Sequence, residues 1–196
     1  MGTSAAAVTD GRTLRRSRNQ DAVVEAILDL LVEGHAQPTA HQISERSGVS
    51  MRSIFRLFDD MEALHRAAIA HQSERVAAML TPLPESGPTA DRVEALVRSR
   101  AEVFEAITPV RRLAVRLAPQ STPIRTELAR AHEFFRHQVA TVFRKEVGRS
   151  AGALLDALDV ATCWETWERL RTGQELSPTK AAEAMALTVS ALLAAR

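Results

Sequence analysis

The apolar residues after Asn19 recur at helical spacing and predict a first amphipathic helix that ends at Gly34. Its buried stripe is expected to contain Ala22, Val23, Ala26, Ile27, Leu30 and Leu31. Residues 1–17, which precede this helix, are small, polar or basic and contain little that could be buried. We therefore expect them to form a mobile tail.

Two shorter apolar patterns, joined by a glycine turn, follow between Pro38 and Phe58. Thr39 and Gln42 have the spacing of a capping box, in which each side chain caps the other's backbone amide. Gly48 supplies the left-handed backbone conformation that a sharp turn between two helices requires. The expected apolar anchors are Ile43, Val49, Ile54, Phe55 and Phe58. This segment therefore predicts a helix-turn-helix.

Beyond residue 58 the pattern stays helical and shows no alternation typical of strands. The proline-rich stretch 81–88 interrupts it, and a hydroxyl residue followed by proline marks three later helix starts. These starts are Thr108-Pro109, Thr122-Pro123 and Ser177-Pro178. The predicted helices are 59–79, 89–107, 109–118, 122–147, 151–172 and 178–194. Together with the three helices before residue 59, they predict an all-α chain of about nine helices.

The composition supports a helical globular protein. Of 196 residues, 45% are hydrophobic and only 4% are aromatic, so alanine, leucine and valine must form most of the core. The single cysteine, Cys163, cannot form an internal disulfide, and no apolar run approaches the ~20 residues of a membrane span. The first 20 residues contain arginines without a following apolar core, unlike a secretion signal. We therefore expect a cytoplasmic protein that does not enter the membrane.

The net charge of +1 does not by itself indicate a nucleic-acid partner, but the arginines are unevenly distributed. Four of them stand in seven residues that contain no acid: Arg12, Arg15, Arg16 and Arg18. Arg52 and Arg56 lie in a second stretch without an acid, residues 50–58. Such clusters can neutralise DNA phosphates. A solvated, disordered tail explains the first cluster equally well.

The second helix of a helix-turn-helix presents its outer side chains to base edges in the major groove of DNA. The outward candidates here are Ser50, Met51, Arg52, Ser53 and Arg56, and Phe55 is a further candidate for contact with DNA. Arg52 has the donors to read a guanine edge, whereas Arg56 is placed to reach a phosphate. Thr39, His41 and Gln42 begin the preceding helix, where free backbone amides bind phosphate. An ordinary helical hairpin within a bundle would show the same periodicity.

The sequence shows no catalytic or metal-binding arrangement. It contains no Gly-rich phosphate loop, no hydrolase nucleophile elbow and no paired carboxylates. His132 and His137 are five residues apart and miss the i, i+4 spacing of a helical metal site. We therefore expect neither an enzyme nor a bound metal or other cofactor.

Residues 19–64 resemble the DNA-binding domain of TetR-family transcriptional regulators. The matching string is Thr39…Ile43-Ser44-Glu45-Arg46-Ser47-Gly48-Val49-Ser50…Ser53-Ile54-Phe55…Phe58…Glu62-Ala63-Leu64. A C-terminal string, residues 164–172 followed by Leu176-Ser177-Pro178, is similar to the last helices of many such proteins. The resemblance implies a homodimer that binds a palindromic operator in double-stranded DNA. It also implies a repressor that a small molecule in the C-terminal domain releases.

On this basis we expect three parts along the chain. Residues 1–18 form a flexible basic tail, residues 19–60 the helix-turn-helix domain, and residues 61–196 a helical domain for ligand binding and dimerisation. The function expected from this organisation is that of a DNA-binding transcriptional regulator.

Three positions of the helix-turn-helix region depart from the usual family pattern. Phe55, Leu57 and Met61 are apolar, whereas the family commonly has tyrosine, histidine and lysine there, which contact phosphate. Each phosphate that is not bound weakens the salt dependence of binding. We hypothesise that the arginine tail compensates for these replacements by lying in the adjacent minor groove. The alternative interpretation is a helical small-molecule-binding protein of the same fold with weak or lost DNA binding.

The C-terminal part contains most of the aromatic residues and a stripe of small and apolar residues. The candidates for lining a cavity for an apolar effector are Phe104, Leu113, Leu117, Phe134, Phe135, Trp164 and Trp167. The candidates for a dimer interface of helix pairs are Leu154, Leu158, Ala181, Met185, Thr188 and Leu192. For both sets the alternative is packing inside one subunit.

Overall fold

A computed structural model of the chain describes residues 4–148 and 152–195. Over these residues every regular element is helical, which confirms the predicted all-α fold. The chain forms two compact units. The first contains the residues up to Arg75 together with Pro109–Ile124, and the second contains Val76–Thr108 and the residues from Arg125 onward. The domain boundaries expected at residues 18 and 60 remain predictions.

The regular elements in the described part of the chain are ten α-helices, one 3₁₀ turn and one π-helical turn. The helices are α1 (Ser4–Val32), α2 (Ala40–Ser47), α3 (Met51–Leu57), α4 (Met61–Met79), α5 (Thr89–Leu117), α6 (Thr122–Val142), α7 (Arg144–Val147), α8 (Ala153–Ala161), α9 (Trp164–Glu168) and α10 (Pro178–Ala194). The 3₁₀ turn is Ala118–Gln120 and the π-helical turn is Arg169–Gly173. None of these helices is both long and apolar enough to cross a lipid bilayer.

The core of the first unit is built around the apolar side of α1, which packs against α2 and α3. The predicted stripe is buried except for Ala22, which is half-buried. Val24 and Leu28 are buried as well, so the apolar side of α1 is wider than predicted. Ile43 on α2 and Ile54 on α3 are completely covered. The two short helices therefore owe their position to α1.

The first helix begins much earlier than the sequence pattern predicts. It starts at Ser4 and not at Asn19, so the predicted helix start is wrong, and residues 4–17, which were expected to form a mobile tail, belong to α1. Alanine and arginine, the commonest residues in this stretch, are strong helix formers, and the single Gly11 costs only about 1 kcal/mol. Residues 1–3 lie outside the described part of the chain. Because α1 includes the four arginines, they lie on a helix.

Pro109 was predicted to begin a helix, but it lies inside α5. The hydroxyl of Thr108 donates a hydrogen bond to the carbonyl of Phe104 at 2.6 Å, one helical turn earlier. The same hydroxyl accepts a hydrogen bond from the indole nitrogen of Trp164 at 3.0 Å. Thr108 is therefore occupied within the helix and in the core, and it does not cap a new helix.

Two other predicted helices are divided. Phe143 interrupts the helix predicted over 122–147, and the helix predicted over 151–172 is broken at Thr162 and Cys163. The Thr162 hydroxyl donates to the carbonyl of Leu158 at 2.8 Å, and the backbone of Cys163 is extended. A threonine side chain that bonds to the preceding turn competes with regular helix hydrogen bonding. The chain therefore leaves the helical path before α9.

The core of the second unit comes from α5, α6, α8, α9 and α10, with α10 packed on α8. Its largest fully buried side chains are Leu96, Arg100, Phe104, Phe143, Leu158 and Trp167. The carboxylate of Glu105 accepts a hydrogen bond from the Trp167 indole at 2.9 Å and two from the Arg171 guanidinium at 2.7 and 3.1 Å. These bonds hold α9 and the π-helical turn against α5.

A histidine lies in the core of the first unit. His65 on α4 is buried, and its Nε2 has no hydrogen-bond partner among the described residues. Burial lowers the pKa of His65 below its ordinary value of 6.5, and the carboxylates of Asp60 and Glu62 oppose this shift less strongly. The unfolded chain therefore takes up this proton at a higher pH than the folded chain does. The stability that the fold gains while His65 is neutral is complete above about pH 6.5 and is lost as the pH falls below that value.

We expect the free energy of unfolding to fall by up to about 1 kcal/mol for each pH unit below about 6.5 because of His65 alone. Urea unfolding at pH 7.5, 6.5 and 5.5 measures this effect. In His65→Gln the decline should be shallower by that amount, whereas His137→Gln, which removes an exposed histidine, should follow the wild type. The same pH dependence in wild type and His65→Gln would contradict the assignment.

Candidate nucleic-acid interface and ligand-binding core

The start of α2 is fixed by a reciprocal cap, as predicted. The backbone amide of Gln42 donates to the Thr39 hydroxyl at 3.3 Å, and the backbone amide of Thr39 donates to the Gln42 side-chain oxygen at 2.9 Å. Both side chains are thus used to hold the helix end. His41, the next polar residue, is exposed and lies 3.2 Å from the carboxylate of Glu45.

The turn between α2 and α3 depends on Gly48. Its φ of +68° is left-handed, and its amide donates to the carbonyl of Ser44. Val49 is buried beneath the turn, and its amide donates to the Ser47 hydroxyl at 3.2 Å. The Ser50 hydroxyl then accepts from the backbone amide of Ser53 at 3.3 Å and caps α3. Each predicted element of this turn is confirmed.

The third helix has one buried side and one exposed side. Ile54 and the following Phe58 are buried. Met51 and Phe55 are 45% and 47% exposed, and Arg52 and Arg56 are exposed beside them. Phe55 was predicted to anchor the apolar side, but it points outward because Ile54 already occupies that side. The exposed side thus combines two cations with two apolar groups.

No acid offsets the two arginines of this exposed side. The seven residues of α3 include no aspartate or glutamate. Within the described part of the chain, no carboxylate forms an ion pair with Arg52 or Arg56, whereas Arg46 on α2 is fully engaged. Both guanidinium groups therefore remain available to an external anion. An exposed, unpaired and positively charged helix side is the arrangement that phosphate-bearing partners require.

An ion pair that the sequence pattern does not reveal orients α2 on α1. The guanidinium of Arg46 donates to both carboxylate oxygens of Glu33 at 2.8 and 2.6 Å, and Asp29 lies 3.9 Å away. The hydrogen bond raises the pKa of Arg46 and lowers the pKa of Glu33. The two residues are thirteen positions apart, so only the fold brings them together.

The arginines near the start of α1 form an exposed basic side. Arg12, Arg15 and Arg16 have i, i+3, i+4 spacing and therefore share one side of the helix, whereas Arg18 lies further around it. All four are exposed, and no carboxylate in residues 4–148 or 152–195 pairs with them. This basic side is the second concentration of unpaired positive charge in the first unit.

The residues predicted to line an effector cavity are separated by the fold. Phe104, Phe135 and Trp167 meet in the second unit, with ring centroids 5.4 Å apart for the first two and 6.4 Å for Phe104 and Trp167. Phe134 packs on Phe135 from an exposed position, and Trp164 is buried nearby in the same core. Leu113 and Leu117 belong to the first unit. The role of all seven residues remains a prediction.

The residues predicted to form a dimer interface differ in exposure. Leu158, Ala181 and Met185 are buried in the core of the single chain, Leu154 and Leu192 are half-buried, and Thr188 is exposed. The exposed large apolar side chains on α8 and α10 are instead Val160 and Leu187, at 65% and 73%. The interface itself remains a prediction.

Sequence reasoning missed Arg100, the one cation among the largest fully buried side chains of the second unit. A signal was present in the spacing. Val93, Leu96, Val97, Val103 and Phe104 form the buried side of α5, and position 100 falls on the same side. A charged residue at a position within the apolar stripe of a helix predicts that this charge is buried.

The comparisons with known proteins support the fold. No protein-family model and no curated protein matches the sequence. A solved crystal structure of a candidate TetR-family transcriptional regulator from Mesorhizobium loti does match, with a TM-score of 0.68 and 19% sequence identity. The match covers 92% of this chain and 98% of that chain. The chain therefore has the fold of a TetR-family regulator, and the resemblance seen in the sequence is confirmed at the level of the fold.

We expect Gly48→Ala to destabilise the protein by about 1–2 kcal/mol, because an L side chain is disfavoured in left-handed backbone. A Cβ at this position would meet no atom within 4 Å, so the cost comes from the backbone alone. Gly48→Asn should cost less, since asparagine tolerates this conformation. Gly11→Ala, in the exposed part of α1, should instead be neutral or stabilising. Thermal unfolding measures all three, and unchanged stability of Gly48→Ala would refute this account of the turn.

Proposed function

We propose that this chain is a DNA-binding transcriptional regulator of the TetR type. It acts as a homodimer on a palindromic operator, and a small-molecule effector releases it, so that it functions as a repressor. The observation that carries the proposal is the exposed side of α3. This short helix is held by a cap and a buried anchor, and it presents Arg52 and Arg56 without any acid partner among the described residues. The fold shared with the Mesorhizobium loti regulator supports it.

In the proposed complex, α3 lies in the major groove. Arg52, in the first turn of α3, donates two hydrogen bonds to the O6 and N7 atoms of a guanine. Arg56, one turn later, neutralises a phosphate. Met51 and Phe55 are exposed apolar groups beside them and contact thymine methyl groups. The amides at the start of α2, next to Thr39, hold a second phosphate.

The basic side of α1 supplies further phosphate contacts. The apolar residues Phe55, Leu57 and Met61 cannot form the charged or hydrogen-bonded phosphate contacts common in the family. Because Arg12–Arg18 are helical, they do not lie in the minor groove as an extended arm. An α-helix with side chains is about 10 Å wide, whereas that groove is about 6 Å wide. We propose that these arginines bind the phosphate backbone instead.

The second unit provides dimerisation and effector binding. Helices α8 and α10 pack on each other and carry the exposed Val160 and Leu187. A helix pair from each of two chains would cover these side chains in a four-helix interface. The aromatic cluster of Phe104, Phe135 and Trp167 offers an apolar environment to an effector. An effector that binds the DNA-free chain more tightly than the DNA-bound chain lowers the affinity for DNA. DNA lowers the affinity for the effector by the same factor.

A second candidate function is supported by one observation. Phe55, Leu57 and Met61 are apolar, and Phe55 is exposed to solvent on the side of α3 that would face DNA. A protein of the same fold that binds a small molecule but has weak or no DNA binding would tolerate all three. Selection of duplexes from a random-sequence library by the full chain separates the two candidates. Recovery of a shared inverted repeat supports the regulator, and recovery of no common sequence supports the second candidate.

We expect Arg52→Ala to bind a selected duplex about tenfold or more weakly than the wild type does, and to lose less affinity for random DNA. The reason is that alanine cannot form the bidentate hydrogen bonds to guanine. Arg56→Ala should weaken both by the same factor, since a phosphate carries no sequence information. Gel shifts on the two duplexes measure this. Arg98→Ala, an exposed arginine of the second unit, is the matched control and should bind as the wild type. Equal losses of affinity for Arg52→Ala on both duplexes would exclude base reading by this residue.

Replacing Arg12, Arg15 and Arg16 together by glutamine should reduce the slope of log K against log salt concentration by about 0.9 for each phosphate that the variant no longer neutralises. The decrease in affinity should be similar on selected and random DNA. The control replaces Arg98, Arg130 and Arg144, three exposed arginines of the second unit. Fluorescence anisotropy over a salt series measures both slopes. An unchanged slope in the α1 variant would remove the basic side of α1 from the interface.

A further inference from the structure

The second unit buries an arginine without giving it a carboxylate. Arg100 on α5 has 0% of its surface exposed. One terminal nitrogen, Nη1, donates to the side-chain oxygen of Gln138 at 2.6 Å, and the other, Nη2, donates to the carbonyl of Phe135 at 3.0 Å. Its Nε has no hydrogen-bond partner among the described residues. All of its partners are neutral.

The same unit shows how a buried arginine is normally neutralised. Arg92, two helical turns earlier on α5, donates to both carboxylate oxygens of Glu146 at 2.7 and 3.0 Å. It also lies over the Phe143 ring, 5.4 Å from the centroid. Arg100 repeats the aromatic contact, 4.5 Å above the Phe135 ring, but has Gln138 in the place of the carboxylate. The difference between the two sites is one negative charge.

The acid whose charge acts on Arg100 does not neutralise it. Asp159 on α8 already forms an ion pair with Arg136 at 3.4 Å, and Arg136 also binds Asp156 at 2.6 Å. Asp159 therefore acts on Arg100 only at a distance. Burial lowers the pKa of Arg100 to about 10, so the guanidinium still carries its charge at neutral pH. A buried charge without a counter-ion is costly, which makes its retention in the core informative.

The surroundings of Arg100 are apolar and aromatic. Phe135, which stacks under the guanidinium, also meets Phe104 edge to face at a centroid distance of 5.4 Å. Phe104 in turn lies 6.4 Å from Trp167. A cation stacked on one ring of an aromatic cluster suits a ligand that joins an anionic group to an apolar body.

We infer that Arg100 is the anion-recognising residue of the effector site and that the effector is a carboxylate with an apolar body. The carboxylate would take the free Nε–H and a neighbouring Nη–H of Arg100, the side-on bidentate geometry common for guanidinium and carboxylate. The apolar body would lie against Phe104, Phe135 and Trp167. The inference rests on the proposed function in one respect: it takes this aromatic core to be the effector site.

The test compares carboxylates with their neutral amides. Thermal unfolding of the full chain is followed with octanoate, octanamide, phenylacetate and phenylacetamide at constant pH and ionic strength. We expect at least one carboxylate to raise the unfolding temperature, with binding about tenfold or more tighter than that of its amide, because the amide cannot accept a charge-assisted hydrogen bond. If neither carboxylate stabilises the chain more than its amide, the inference is wrong.

Two variants connect the effect to Arg100. Gln138→Glu keeps Arg100 and supplies the missing charge from within the chain, so it should raise the unfolding temperature of the free protein and abolish the rise with carboxylate. Arg100→Met should also abolish that rise, and Arg98→Met, which removes an exposed arginine, should keep it. Retention of the full carboxylate effect in Gln138→Glu would overturn the inference even if Arg100→Met fails to fold. No DNA is present in these measurements, so a failure here leaves the proposed DNA binding untouched, and a chain that does not bind DNA can still show the carboxylate effect.

Discussion

The orientation of the exposed side of α3 depends on one constraint, the burial of a few apolar side chains against α1. Helices as short as α2 and α3 are unstable alone in water, so their position must come from packing and caps. Ile43 and Ile54 are completely covered, and Val49 fills the angle between the two helices. Each such side chain stabilises the fold by about 1.5–3 kcal/mol when fully buried. Because these contacts hold one side of α3 inward, its other side is presented to solvent in a fixed orientation.

The distribution of charge links this scaffold to the proposed function. In the first unit, Arg46 is held by Glu33, whereas Arg52 and Arg56 have no acid partner among the described residues and lie on the exposed side of α3. In the second unit, Arg92 is neutralised by Glu146, whereas Arg100 has only neutral partners. In each unit a structural arginine has a carboxylate within the chain. The arginines without one are the groups that we assign to a partner: a DNA phosphate or base for Arg52 and Arg56, and a ligand carboxylate for Arg100.

Features with local causes could be predicted from the sequence, and those with distant causes could not. The cap at Thr39 and the turn at Gly48 depend on neighbours within four residues, so their spacing was sufficient. The Thr108 hydroxyl, which was predicted to cap a helix at Pro109, instead accepts a hydrogen bond from Trp164, more than fifty residues away. The outward position of Phe55 followed from competition with Ile54 for one side of a short helix, which an apolar pattern alone does not decide. Arg100 could have been noticed as a charge within a buried stripe, but its lack of a carboxylate depends on Gln138 on another helix.

The central claim is that α3 reads DNA from the major groove, and dimethyl sulfate protection tests it directly because this reagent methylates guanine N7 in that groove. The full chain is bound to a duplex that it has itself selected, and the methylation of each guanine is compared with free DNA. The account predicts two protected patches on the same side of the duplex, about 10 base pairs apart or a multiple of that distance. Bound chain that leaves every guanine N7 as reactive as in free DNA would contradict it.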